Sequence, residues 1–157
     1  MSDFLSIGLQ NNYSTVANTS YVGNLGEELA AQFLVRNGFR LVAANFKVPI
    51  GRTIRGVSVS GEIDLIALDG KTLCFVEVKT RSSDEFGLPV AAVDLRKQRQ
   101  ITRTARVYRK LFNVKINFRY DVVSIVLGNT NKPKIELFKN FWTEAKFRKK
   151  VWNNEIW

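Results

Sequence analysis

Three carboxylates, Glu62, Asp64 and Glu77, and one ammonium, Lys79, fall within "GEIDLIALDGKTLCFVEVKTR", residues 61–81, which otherwise reads as buried β-strand. Charge is costly in such a setting, so the question is what chemistry it serves. With Asp69-Gly70 as a two-residue turn, Asp64 faces Phe75 and Glu62 faces Glu77. Opposed residues point to one side of a sheet, as do residues two apart, so Glu62, Asp64, Glu77 and Lys79 share a face. Ile63, Leu65, Ala67, Cys74, Val76 and Val78 then form the other face, which is core. Like charges opposed across strands cost a few tenths to about 1 kcal/mol, and clustered acids raise one another's pKa. Lys79 offsets part of this, and a divalent cation held through oxygen would relieve the rest. The competing reading is a strand whose outer face is simply wet and charged.

The remaining composition narrows the chemistry. There is no histidine and one cysteine, Cys74. Ser-His and Cys-His nucleophile systems, His-ligated zinc hydrolases and intramolecular disulfides are therefore excluded. Any catalysis must come from carboxylates, lysine and a hard metal ion. The balance of 24 Lys+Arg against 14 Asp+Glu gives a net charge of +10, which favours polyanions, chiefly nucleic acid. The start "MSDFLSIGLQ" has no signal-peptide pattern and no stretch approaches a membrane span, so no membrane partner and a cytoplasmic location are expected.

The length of 157 residues fits one domain. Residues 1–22, rich in Asn, Ser and Thr, read as a loose leader. "NLGEELAAQFLVRNG" (24–38) reads as a helix capped by Asn24 and ended by Gly38. A strand is expected at 39–46, then a basic loop or irregular hairpin over 47–60, where Arg52 and Arg55 offer a second clamp for phosphate. Strands at 61–68 and 71–80 follow. A long helix spans 90–112, with strands at 116–127 and 135–138. The tail, 143–157, mixes aromatics and cations and suggests a docked helix. This order predicts an α/β fold with a mixed sheet flanked by helices.

In the long helix, Arg96, Arg99, Arg103, Arg106 and Lys110 are spaced 3, 4, 3, 4, which places them on one stripe. No acid sits among them, so the stripe repels itself by about 0.2–0.5 kcal/mol per neighbouring pair. Phosphate contact explains that better than a plain wet face. Ile101, Ala105, Tyr108 and Phe112 supply the core-facing side. Asp121 in "RYDVV" reads as a structural ion-pair partner.

"GEIDLIA" followed by "FVEVKTR" resembles the D…ExK signature of the PD-(D/E)xK nuclease superfamily. More narrowly, the chain resembles the bacterial YraN-type endonuclease-like family, related to archaeal Holliday-junction resolvases. "GNLGEELAAQFLVRNGF", "FG" at 86–87, Lys97 and "FRYDVVSI" extend the likeness over residues 23–142. The resemblance implies a restriction-endonuclease-like fold and hydrolysis of phosphodiesters in DNA, with branched DNA a candidate substrate. The alternative is a binding protein that keeps the fold without turnover. By the same resemblance Asp64 and Glu77 ligate Mg²⁺ (or Mn²⁺), Lys79 assists the attacking water, and Glu27 completes the site. Glu27 also fits a capping box with Asn24, and Glu62 is either a supporting partner or solvated. Arg81, Arg96, Lys97, Arg99, Arg103, Arg106 and Lys110 are the expected nucleic-acid contacts, with DNA favoured over RNA. A resolvase-like reading implies a homodimer.

Overall fold

A computed structural model describes residues 19–82, 93–128 and 132–148. Two apolar clusters, one on each face of a single sheet, organise the chain. The first helix, α1 (Thr19–Arg36), lays Ala30 and Leu34 against Leu65, Ala67, Cys74, Val76, Val123 and Ile125. The second, α2 (Leu95–Leu111), brings Ile101, Ala105 and Tyr108 onto Ile66, Phe75, Tyr120, Val122 and Trp142 on the opposite face. Strands β1 (Arg40–Arg52), β2 (Ser58–Asp69), β3 (Thr72–Arg81), β4 (Phe118–Val126) and β5 (Lys134–Trp142) lie side by side in chain order. Only β3 and β4 pair in parallel, and α2 lies between them in the chain, as a parallel connection requires. The result is α/β: a mixed five-stranded sheet flanked by helices, in agreement with a restriction-endonuclease-like fold. Among the described residues no helix is long and apolar enough to cross a membrane.

Several boundaries differ from expectation. Helix α1 starts at Thr19, so Asn24 lies inside it and cannot cap it; Gly38, at φ +87°, ends it as expected. Strand β1 continues to Arg52 and β2 begins at Ser58, so the segment 47–60 is the irregular hairpin rather than a loop. The expected short strand at 135–138 is nine residues long, and the described part of the tail forms a 3-10 turn, Glu144–Phe147. Asp94 caps α2, its Oδ1 accepting from Lys97 N–H at 2.8 Å. The long helix expected from 90 thus begins at Leu95, behind that cap; residues 90–92, the "FG" at 86–87, residues 1–18 of the leader and the tail beyond 148 lie outside the described residues.

The central turn is shifted by one residue. Asp69 pairs with Thr72, leaving Gly70-Lys71 as the loop, with Gly70 at φ +58° in the first position. A primed turn needs positive φ there, and Asp69 is instead held by Arg119 and Lys139. The facing pairs move by two, so the sides of the sheet are preserved: Ile66 now meets Phe75 and Leu65 meets Val76. The expectation of one apolar face fails, because helices cover both faces.

Candidate metal and nucleic-acid site

The alternation of β2 breaks at Asp64. Ladder pairs Ala44–Leu65 and Phe46–Ile63 flank an unpaired step at Asn45 and Asp64, where Asn45 takes φ 51°. Asn is among the few side chains that tolerate this left-handed backbone. Across the step Leu65 packs under α1 while Ile63 packs with the α2-side cluster, so Ile63 leaves the face assigned to it from sequence. The β2–β3 ladder stops at Leu65–Val76. Beyond it, Val78 N–H donates to Asp64 Oδ2 at 2.8 Å. The Asp64 carboxylate thus sits in the fork where two neighbouring strands part.

Glu77 is the next β3 residue past that last pair. It is only 2% exposed. Its Oε1 lies 3.2 Å from Lys79 Nζ and 3.6 Å from Lys97 Nζ, while Oε2 is buried with no hydrogen-bond partner. Burial pushes the Glu77 carboxyl up to about 7; the charge of Asp64 adds to this, and Lys97 and Lys79 oppose it. Glu27 approaches the fork from α1. It too is pushed up to about 7, first by burial and then by Asp64, with a hydrogen bond from Asn45 pulling the other way and Glu62 adding slightly. With Asn24 inside the helix, the capping-box reading of Glu27 loses its geometry.

Gly26 is what lets α1 come this close. A Cβ built there would lie 1.9 Å from Thr80 Oγ1 on β3. Gly26→Ala is therefore expected to cost about 1–3 kcal/mol, and Thr80→Ala in the same chain should recover much of it. Denaturant midpoints of the two singles and the double measure the coupling; simple additivity would show that no such contact exists.

Lys97, expected among the nucleic-acid contacts, also reaches Glu77, through α2 packing that no helical spacing reveals. The basic stripe is also less bare than its spacing suggests. Glu144, from the 3-10 turn, pairs with Arg106 at 3.3 Å and with Arg109. Arg103 donates to Ile50 O at 2.6 Å, and the Arg99 guanidinium lies 5.6 Å from the Phe147 ring centre. Arg96, Arg99, Arg103, Arg106 and Lys110 all remain exposed, and Arg81 is half-buried at the end of β3. Sequence reading missed Asn45, Lys97 as a site lysine, and Glu144; of these, only Asn45 carried a local signal.

Two residues drop out of the chemistry. Burial pushes the Cys74 thiol up to about 12, so it is no nucleophile. Asp121 is fully buried and accepts from Arg119 Nε at 2.9 Å and from Asn140 N–H at 2.8 Å, which is the structural role expected of it. Among the described residues no three acidic or thiol groups converge as a ready-made metal cage. The donors at the fork fit a looser arrangement: two carboxylates on a hard cation, with water in its other positions, which is ordinary for magnesium. The partnerless Glu77 Oε2 beside Asp64 is the atom such an ion would satisfy.

Residues 26–125 match the model of the Uncharacterised protein family UPF0102, a span that includes Glu27, Asp64, Glu77, Lys79 and Lys97. The chain is 42% identical over 123 residues to a UPF0102 protein of Caldanaerobacter subterraneus subsp. tengcongensis, covering 78% of this chain and 90% of that one. It is 40% identical over 126 residues to one from Caldicellulosiruptor bescii, covering 78% and 98%. A UPF0102 protein of Geobacter sulfurreducens is 40% identical over 120 residues, covering 76% and 86%. Its matched span and the near end-to-end likeness of these relatives place the chain in the YraN-type UPF0102 family, to which it belongs.

Proposed function

We propose that this protein is a Mg²⁺- or Mn²⁺-dependent nuclease acting on DNA, with branched or otherwise structured DNA as the substrate. The observation that carries the reading is the buried, half-satisfied Glu77 carboxylate placed beside Asp64 and Lys79 where β2 and β3 part. Asp64 and Glu77 would hold the ion, with Glu27 facing it from α1. When bound, the ion polarises the phosphoryl oxygen and lowers the pKa of its water, which replaces the absent histidine base. Lys79 orients the attacking water and offsets charge gathering on the phosphate. Arg81 and the exposed cations of α2 meet phosphates, which gives affinity with little reading of sequence.

A panel of single-stranded, flap and four-way substrates with each metal tests this. Cleavage is expected with metal, none with chelator, and none from Asp64→Asn. Binding should fall about 10³-fold or more between low and moderate salt if six or more phosphates are engaged. An inert panel removes the catalytic reading, and a flat salt response removes the polyanion one.

One observation favours a second reading, a binding module without turnover. Glu77 is already paired by two lysines, and no three-acid cage is preformed among the described residues. That protein would bind DNA equally well with chelator, and neutralising Asp64 or Glu77 would leave its affinity unchanged or raise it.

A further inference from the structure

Past the fork the β1–β2 hairpin goes on alone. Its ladder runs from Phe46–Ile63 to Arg52–Ser58 after β3 has left β2. At the strand rise of ~3.3 Å per residue this carries the chain about 20 Å beyond Asp64. The α2 helix supports the base of this extension. Arg103 donates to Ile50 O, Gln100 donates to Ser60 O at 3.2 Å, and Gly61 lies against Thr104.

The tip is ordered and apolar in an unusual place. Thr53 N–H donates to Val57 O and Gly56 N–H to Thr53 O, both at 2.8 Å; Arg52 Nη1 donates to Gly56 O at 3.0 Å. Gly56, at φ +79°, permits the bend. On this closed loop Ile54 is wholly exposed and Val57 largely so. Arg52 and Arg55 accompany them, and no acid occurs from 46 to 61. A second copy of the chain would bring like charges together at this tip. A partner that is polyanionic and also offers an apolar gap satisfies both features, and stacked bases provide one.

We propose that the 53–57 tip is a nucleic-acid wedge: Arg55 rests on phosphate while Ile54 enters between base pairs where a duplex forks or ends. This rests on the nucleic-acid part of the proposed function and is independent of cleavage.

The test is a forked duplex carrying 2-aminopurine at the branch, titrated with the full chain in chelator so that the substrate stays intact. The parent should raise the fluorescence severalfold as the base unstacks. Ile54→Ser should lose that rise while its affinity changes less than tenfold, because an exposed side chain is not holding the fold. Arg55→Ala should weaken binding to every duplex alike and lower the salt slope by about one. An equal rise from Ile54→Ser overturns the wedge, as does binding by the parent without any rise, or self-association that Ile54→Ser abolishes. A parent that binds no nucleic acid sinks the wedge and the polyanion reading together. A rise without cleavage upholds the wedge and sinks only the nuclease.

Discussion

Glu77→Gln is expected to reduce metal-dependent cleavage about 10³-fold while removing a pH-dependent loss of stability. The first effect follows from the proposed function: a metal held there would supply several kcal/mol of transition-state stabilisation, and each 1.36 kcal/mol is a factor of about ten in rate. The second follows from burial. The folded carboxyl sits near 7, against an ordinary value of 4.5, because desolvation dominates over Lys97 and Lys79. A raised acid binds its proton more tightly in the folded state. Its contribution is therefore fully present below about 4.5 and is lost as pH climbs through about 7. The difference amounts to something on the order of 3 kcal/mol. Urea midpoints of parent and variant, taken in chelator from pH 4 to 8, should diverge across that window, with Glu77→Gln gaining relative to the parent. Parallel curves would show that Glu77 is better solvated than its position indicates. Cleavage surviving at the parent rate would remove Glu77 from the chemistry.

Asp121→Ala should produce the largest loss of stability in the described fold. The carboxylate is 0% exposed in the middle of β4, and it ties two elements together. Arg119 beside it reaches Asp69 at the β2–β3 turn, while Asn140 N–H donates to it from β5. Deleting the acid leaves the Asn140 N–H and the Nε–H of Arg119 without their acceptor, and Arg119 keeps only the more exposed Asp69 as an ion partner. Breaking a buried pair in this way costs about 3–5 kcal/mol, or a fall in Tm of roughly 10 °C for a chain this size. Asp69→Ala is the control. Asp69 is held below the usual carboxylate range by its bonds to Arg119 and Lys139, but it sits nearer water, so its loss should cost under about 1 kcal/mol. Calorimetry on both variants separates the two. A drop of only a degree or two for Asp121→Ala would mean that Arg119 and Asn140 find other partners.

Local chemistry in the chain was enough to fix a good deal. Alternation in 61–81 and the Asp69-Gly70 signal established a hairpin with Asp64, Glu77 and Lys79 on related positions, because side-chain period and turn residues act over a few bonds; Glu62, expected with them, changes side together with Ile63 past the break at Asp64. The absence of histidine by itself restricted the chemistry to oxygen ligands and lysine. The turn shifted by one residue without changing that conclusion, since moving the facing pairs by two preserves the sides of the sheet.

What needed the tertiary structure was every feature that depends on distant segments meeting. The capping role of Asn24 vanished because α1 begins earlier, at Thr19. Lys97 joined Glu77 only because α2 packs across β3, and Glu144 met Arg106 only because the chain returns after β5. The break at Asn45 and Asp64 lifts one carboxylate out of strict alternation and into the fork, where Val78 fixes it. Sequence spacing specifies which way a side chain leaves its own strand or helix. Which charges then share one low-dielectric space, and so perturb one another, is set by packing between elements far apart in the chain.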